Sequence, residues 1–189
     1  MLVFGAFLTS VSLWKHCNST AFTVSIVAIL LFCCYNIFGG DDMNVLIDAD
    51  ACPVVNLAVA LCRQYRIPCF LFCDTAHQLS KEGATTLVFD KGADSVDFAL
   101  INRVRPGDIV ITQDYGLASM CLARKVHVLH QDGWEYTEYN ISGLLEQRHA
   151  ARKLRAAGGR TKGPAKRNSA QDAAFCRALE RLLQQSVQG

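Results

Sequence analysis

From Met43 onward the sequence predicts an α/β domain of three layers: a parallel sheet of five strands in the order of about 3-2-1-4-5, helices on both faces, and two further C-terminal helices. Two observations predict it. Short runs rich in Val, Ile and Leu alternate with segments whose apolar residues recur at helical spacing, and a strand that is apolar throughout is one covered on both faces of a parallel sheet. Aspartates, moreover, follow the strand runs directly, at the sheet edge where open parallel sheets bind their ligands.

Val45-Leu46-Ile47 is the first strand and stops at Asp48; Pro53 then opens a helix carrying Val54, Val55, Leu57, Ala58, Leu61 and Cys62. Pro68 restarts the chain into a second strand, Cys69–Cys73, and Thr86–Phe89 is a third. Val96, Leu100 and Val104 recur at i, i+4 and i+8, which predicts a helix over 95–104, ended by the turn Arg105-Pro106-Gly107-Asp108. Ile109–Thr112 is a fourth strand, 117–124 a helix and Val126–Leu129 a fifth strand. The two last helices span roughly 141–155 and 170–185; Ser169-Ala170-Gln171-Asp172 reads as a capping box for the second, and Phe175, Leu179, Leu182 and Leu183 as its buried stripe. The loop between them, 156–168, is rich in Gly and basic residues.

With 51% apolar and 19% charged residues among 189, the chain is neither disordered nor collagen-like. Its charge is divided unevenly. Residues 1–42 hold only Lys15, Asp41 and Asp42, whereas residues 43–189 hold 18 basic and 15 acidic side chains. The chain therefore divides into an apolar extension, 1–42, and the α/β domain, 43–189. Residues 20–38 are uncharged and about as long as a bilayer span, but no basic segment precedes the first apolar run, which opens the chain, and there is no clear small-residue cleavage site. The preferred reading starts translation at Met43 and leaves a cytoplasmic domain; the alternative is a single-pass membrane anchor over 20–38. Nine cysteines, at 17, 33, 34, 52, 62, 69, 73, 121 and 176, form no Cys-x-x-Cys pair, so reduced, packed thiols are expected rather than a structural zinc site.

Five aspartates carry the chemistry. Asp48 closes strand one with Asp50 two residues on, Asp94 and Asp97 flank a helix start, and Asp114 lies just past strand four. In the order 3-2-1-4-5 strands one and four are neighbours, which brings Asp48 and Asp114 to one crevice. Carboxylates converging there repel one another unless a divalent cation is present, and hard oxygen ligands suit Mg²⁺ or Mn²⁺. Spacing alone leaves the local alternative open, with each aspartate ending a strand, capping a helix or starting a turn.

The segments Ile47-Asp48-Ala49-Asp50-Ala51-Cys52-Pro53-Val54, Gly107 to Ala118 and Gly163-Pro164 resemble the YaiI/YqxD family of bacterial proteins, whose biochemical function is unassigned. The resemblance covers nearly all of 43–183, and members of that family typically begin just before this first strand. More distantly the arrangement is similar to PIN-like and NYN nuclease domains, of Rossmann-like architecture. In those domains one Asp ends the first strand, an acidic residue lies on a middle helix and a third follows a Ser/Thr-x-Asp strand end. Asp48, Asp94 or Asp97, and Asp114 match these positions; Gly116 stands where the NYN pattern has a further Asp, which leaves the set one carboxylate short unless Asp50 substitutes. The resemblance implies a Mg²⁺- or Mn²⁺-dependent ribonuclease with Asp48, Asp97 and Asp114 as catalytic residues, the same three with Asp50 and Asp94 as metal ligands, RNA as partner and no small-molecule cofactor.

Between Arg148 and Arg167 stand eight basic residues and no acidic one: Arg148, Arg152, Lys153, Arg155, Arg160, Lys162, Lys166 and Arg167. Such a stripe suits phosphate backbones, as equally it suits a solvated helix face. His77, in the loop after strand two, is a candidate phosphate contact or general acid. Cys52 is expected to pack rather than react, and Trp134, Tyr136 and Tyr139 to anchor a loop more readily than to stack on bases. Two rival functions remain. Val45 to Asp50 also fits the strand-Asp-x-Asp opening of haloacid-dehalogenase-like phosphatases with Asp48 as nucleophile, and the same fold with an incomplete metal site would be a non-catalytic RNA-binding module.

Overall fold

Apolar runs that point alternate side chains to opposite faces demand cover on both, and the fold supplies it. A computed structural model describes residues 43–76, 79–90, 95–159 and 166–187. The sheet has six strands: β1 (Val45–Asp48), β2 (Cys69–Asp74), β3 (Thr85–Phe89), β4 (Ile109–Ile111), β5 (His127–Leu129) and β6 (Glu135–Tyr136). Five helices complete it: α1 (Val55–Tyr65), α2 (Ser95–Arg103), α3 (Tyr115–Leu122), α4 (Glu138–Ala156) and α5 (Ser169–Val187). The strand order is β3-β2-β1-β4-β5-β6, with the first five parallel and β6 antiparallel to β5. The predicted order therefore holds, extended by one strand.

Register puts Val45 beside Cys69 and Ile109, and Ile47 beside Leu71 and Ile111, all fully buried or nearly so on one face. That face packs against α1 through Val55, Ala58, Val59 and Cys62, and against α5 through the predicted stripe Phe175, Leu179, Leu182 and Leu183. Leu46, Phe70, Phe72, Val110 and Val128 point the other way, onto Val96 and Leu100 of α2, Leu117 and Cys121 of α3, and the first turns of α4 through Ile141 and Leu144. Burying a Leu, Ile or Phe side chain is worth about 1.5–3 kcal/mol, so the two apolar faces are the main source of stability.

Three local features depart from the sequence expectation. β6 was not expected; it forms because Asp132-Gly133 makes a tight turn, with Gly133 at φ +83° and His130 N donating to Trp134 O at 2.9 Å. α1 begins at Val55, two residues after Pro53, with no side chain capping it. α5 is capped one residue earlier than Ser169: Asn168 Oδ1 accepts from Gln171 N at 3.0 Å while Gln171 Oε1 accepts from Asn168 N at 3.0 Å, a reciprocal cap. Asp108, from the turn before β4, is 2% exposed and structural, accepting from Asn44 N at 2.8 Å and Arg105 N at 2.8 Å. Among the described residues no helix is long and apolar enough to cross a membrane. Residues 1–42, and with them both readings of the extension, lie outside the described residues.

Candidate active site

At the carboxyl ends of β1 and β4 the chain must leave the sheet, and both exits are built from hydroxyl and carboxylate groups. Thr112 follows β4 directly and is almost wholly buried; it donates through Oγ1 to Asp48 Oδ2 at 2.8 Å, and accepts on the same atom from Asp114 N at 3.0 Å. One side chain thus joins the two strand ends. Asp114 then turns back as the N-cap of α3, Oδ1 accepting from Gly116 N at 2.6 Å and Leu117 N at 3.2 Å.

Beyond β1 the loop passes through Ala51 at φ +57°, a conformation that costs a non-glycine residue on the order of 1 kcal/mol. Here the loop places Asp50 against the end of β2, where Asp50 Oδ1 accepts from Asp74 N at 3.3 Å. Asp97, in the first turn of α2, belongs to the same group. Burial, opposed by the Thr112 hydrogen bond and reinforced by the charges of Asp97, Asp50 and Asp114, pushes the Asp48 carboxyl up to about 6. Cys121, beneath the crevice on α3, is pushed up to about 12 by burial first, with Asp97 and Asp48 adding.

Arg148, on the third turn of α4, grips Asp114 with its fork: Nη1 lies 3.1 Å from Oδ1 and Nη2 2.9 Å from Oδ2. The Asp114 carboxyl, partly buried, is held below its usual range because the Arg148 fork and the two backbone donors outweigh desolvation.

Asp48, Asp50, Asp97 and Asp114 offer hard oxygen donors of the kind Mg²⁺ and Mn²⁺ take. Among the described residues no three His, Cys, Asp or Glu side chains are gathered into a cage for an ion. Mg²⁺ is commonly held by one or two carboxylates plus water and substrate phosphate, and Asp48 and Asp114, joined through Thr112, are the carboxylates such binding would use.

A family model described as an uncharacterized YaiI/YqxD family matches residues 46–185. The chain belongs to the YaiI/YqxD family. Among the relatives of this YaiI/YqxD chain, a UPF0178 protein of Exiguobacterium sibiricum is 53% identical over 141 residues, covering 75% of this chain and 96% of the relative. A UPF0178 protein of Ruminiclostridium cellulolyticum is 44% identical over 147 residues, 78% of this chain and 96% of the relative. One of Clostridium acetobutylicum is 43% identical over 143 residues, 75% and 97%. No solved structure matches the chain.

In this YaiI/YqxD domain Asp50, Asp97 and Asp114 all lie near enough to Asp48 for their charges to raise its carboxyl, while Asp94, His77, Arg160 and Lys162 lie outside the described residues. Arg152, Lys153 and Arg155 sit exposed along the far half of α4, and Lys166 is exposed before α5. Arg167 is put to a different use from the one its place in the basic stripe suggests: it bonds Asp132 at 2.9 Å, Asp172 at 2.6 Å and Gln131 O at 2.7 Å, tying α5 to the β5–β6 turn. Cys52 packs as expected, its thiol pushed up to about 11 chiefly by burial. Tyr136 is buried, Trp134 stacks on His130 at 4.4 Å and Tyr139 is 97% exposed.

Two members of the site escaped sequence reasoning. Asp74, at the end of β2, joins the carboxylate group through its backbone bond to Asp50; its signal was the apolar strand it terminates. Arg148 was read only as a phosphate contact, and no local pattern pairs it with a residue 34 positions away. Gly116, where an Asp was looked for, has a structural reason: a Cβ there would stand 3.0 Å from Asp114 Oδ1, against the cap itself.

Proposed function

We propose that the chain is a divalent-cation-dependent phosphodiesterase acting on RNA. The observation that carries the reading is Asp48: a carboxyl set at the end of β1, held by Thr112 and faced by Asp50, Asp97 and Asp114, so that its charge is disfavoured until a cation offsets it. Asp48 and Asp114, on neighbouring strands, are the residues that would hold Mg²⁺ or Mn²⁺, with Asp97 adding charge from α2. Such a cation, when bound, supplies a water of lowered pKa and offsets the charge of a phosphodiester. The exposed cations Arg152, Lys153 and Arg155 give a strand of phosphates a sequence-neutral path leading away from the crevice. The distant similarity to PIN-like domains supports the same reading.

A second reading, an RNA-binding module without catalysis, is favoured by one observation, the Arg148 fork that spans both oxygens of Asp114. The deciding experiment incubates the full-length protein with end-labelled single-stranded RNA and Mn²⁺, beside Asp48→Asn and Asp114→Asn. Cleavage lost in both variants with binding retained supports the nuclease; equal binding and no cleavage by any of the three overturns it in favour of the module.

A further inference from the structure

Helix α4 is built in two halves. Its first turns are fixed by the reciprocal cap in which Thr137 Oγ1 accepts from Asn140 N at 3.3 Å and Asn140 Oδ1 from Thr137 N at 2.9 Å, and by Ile141 and Leu144 on the core. The stripe that begins with Ile141 and Leu144 continues at helical spacing through Arg148, Ala151, Arg152 and Arg155. This is still the inner face of the helix, because Arg148 reaches Asp114 and Ala151 is half-buried while every other residue from Glu146 to Ala156 is exposed. Glu146, Ala150 and Leu154, again at i, i+4 and i+8, form the outer stripe. A surface helix ordinarily turns its apolar residues inward and its charges outward, so in the far half of α4 that polarity is reversed. Among the described residues Arg152 and Arg155 form no ion pair, and the line of guanidiniums, about 10 Å long, meets a carboxylate only at its Arg148 end.

We propose that Asp114 is an internal stand-in for a phosphate: it occupies the Arg148 fork in the free protein, and a single-stranded RNA takes the fork over, laying its phosphodiesters along Arg148, Arg152 and Arg155. This rests on RNA as the partner, one part of the reading above, and needs no metal ion. A phosphodiester carries the same single charge as a carboxylate and presents two oxygens to the same fork. The Arg148 side chain is 52% exposed and that of Asp114 33%, so water screens the pair and the contact is weak enough to exchange. RNA also offers what Asp114 does not, further phosphates for Arg152 and Arg155 with release of the strand's counter-ions. No acidic residue stands between Arg148 and Arg167 to repel the strand. Asp114, on losing Arg148, keeps Gly116 N and Leu117 N on Oδ1 as the cap of α3, so the exchange leaves the fold intact.

The test measures, by fluorescence anisotropy in EDTA, the affinity of the full-length protein for a short labelled single-stranded RNA, beside Asp114→Asn, Arg148→Ala and the double variant. Asparagine keeps an Oδ1 for the α3 cap and removes the charge that holds the fork; Asp114→Ser, a second good cap, is run with it. The expected result is affinity raised about two- to fivefold in Asp114→Asn and Asp114→Ser, the worth of an exposed ion pair. Affinity should fall in Arg148→Ala, and adding Asp114→Asn to Arg148→Ala should give no gain. A gain that persists without Arg148 reflects lost repulsion of the strand alone and overturns the exchange. Equal affinity in wild type and both Asp114 variants overturns it too, and in either case RNA stands as the partner. Absence of binding by the wild type and every variant overturns RNA as the partner and the exchange together.

Discussion

Thr112 Oγ1 donates to Asp48 Oδ2 at 2.8 Å, and this bond between the ends of two adjacent parallel strands organises the crevice. Because Thr112 is almost wholly buried, the hydroxyl fixes the carboxylate without a competing water.

Thr112→Val keeps the shape and removes the donor. Since the hydrogen bond favours the charged carboxylate, its loss should lift Asp48 further above 6 and cost about 1–3 kcal/mol, because Asp114 N and Asp48 Oδ2 each lose a partner. Carboxyl titration by NMR and urea denaturation check the two effects; a lowered Asp48 would contradict the assignment.

The pH dependence of stability follows from the same residue. Asp48 is raised from 3.8 to about 6, so the folded state binds its proton more tightly than the unfolded chain; the stability this contributes is present below 3.8 and is lost as pH rises through 6. Asp114 runs the other way, its contribution being lost only as pH falls below the usual carboxylate range. Asp48→Asn should therefore be more stable than wild type above pH 6, by on the order of 2 kcal/mol, with the gap closing below pH 4. Chemical denaturation at a series of pH values measures it, and a wild-type advantage at pH 7 would refute it.

Gly133 meets two constraints at once. Its φ is +83°, and a Cβ would stand 2.4 Å from the backbone carbon of Ala174 and 2.6 Å from its oxygen. Gly133→Ala should push α5 from the β5–β6 turn, weaken the Arg167 ties to Asp132 and Gln131, and cost on the order of 3 kcal/mol. A thermal midpoint within a degree or two of wild type would show that the turn and helix separate freely.

Arg152 and Arg155 are exposed on α4 and should act through charge alone. The Arg152→Ala/Arg155→Ala variant should bind single-stranded RNA more weakly and lower the slope of log affinity against log salt by about 1.4, the value for two phosphate contacts. Fluorescence anisotropy at several salt concentrations gives that slope, and an unchanged one would remove α4 from the binding surface.

The fold was legible because its causes are local. Val45-Leu46-Ile47 and Cys69 to Cys73 carry apolar side chains at every position, so both faces of their strands had to be covered, and a parallel sheet followed before any contact was known. The stripe of Phe175, Leu179, Leu182 and Leu183 announced its buried face by helical spacing in the same way. Strand β6 was missed because two residues carry no period; the Asp132-Gly133 pair that turns the chain into it was the available signal.

By itself, then, the sequence determined the layers, the strand order and the edge at which Asp48 and Asp114 emerge, since hydrophobic period and the geometry of strand ends are properties of neighbouring residues. Tertiary structure alone decided the partners. Arg148, one of eight cations in a basic stripe by sequence, became the counter-ion of Asp114, and Arg167 from the same stripe became a tie between α5 and Asp132, because α4 sets one guanidinium beside the crevice and the entry to α5 sets the other beside the β5–β6 turn. Charge patterns in a chain record how many cations there are; which carboxylate each one meets depends on distances that exist only after the sheet has closed.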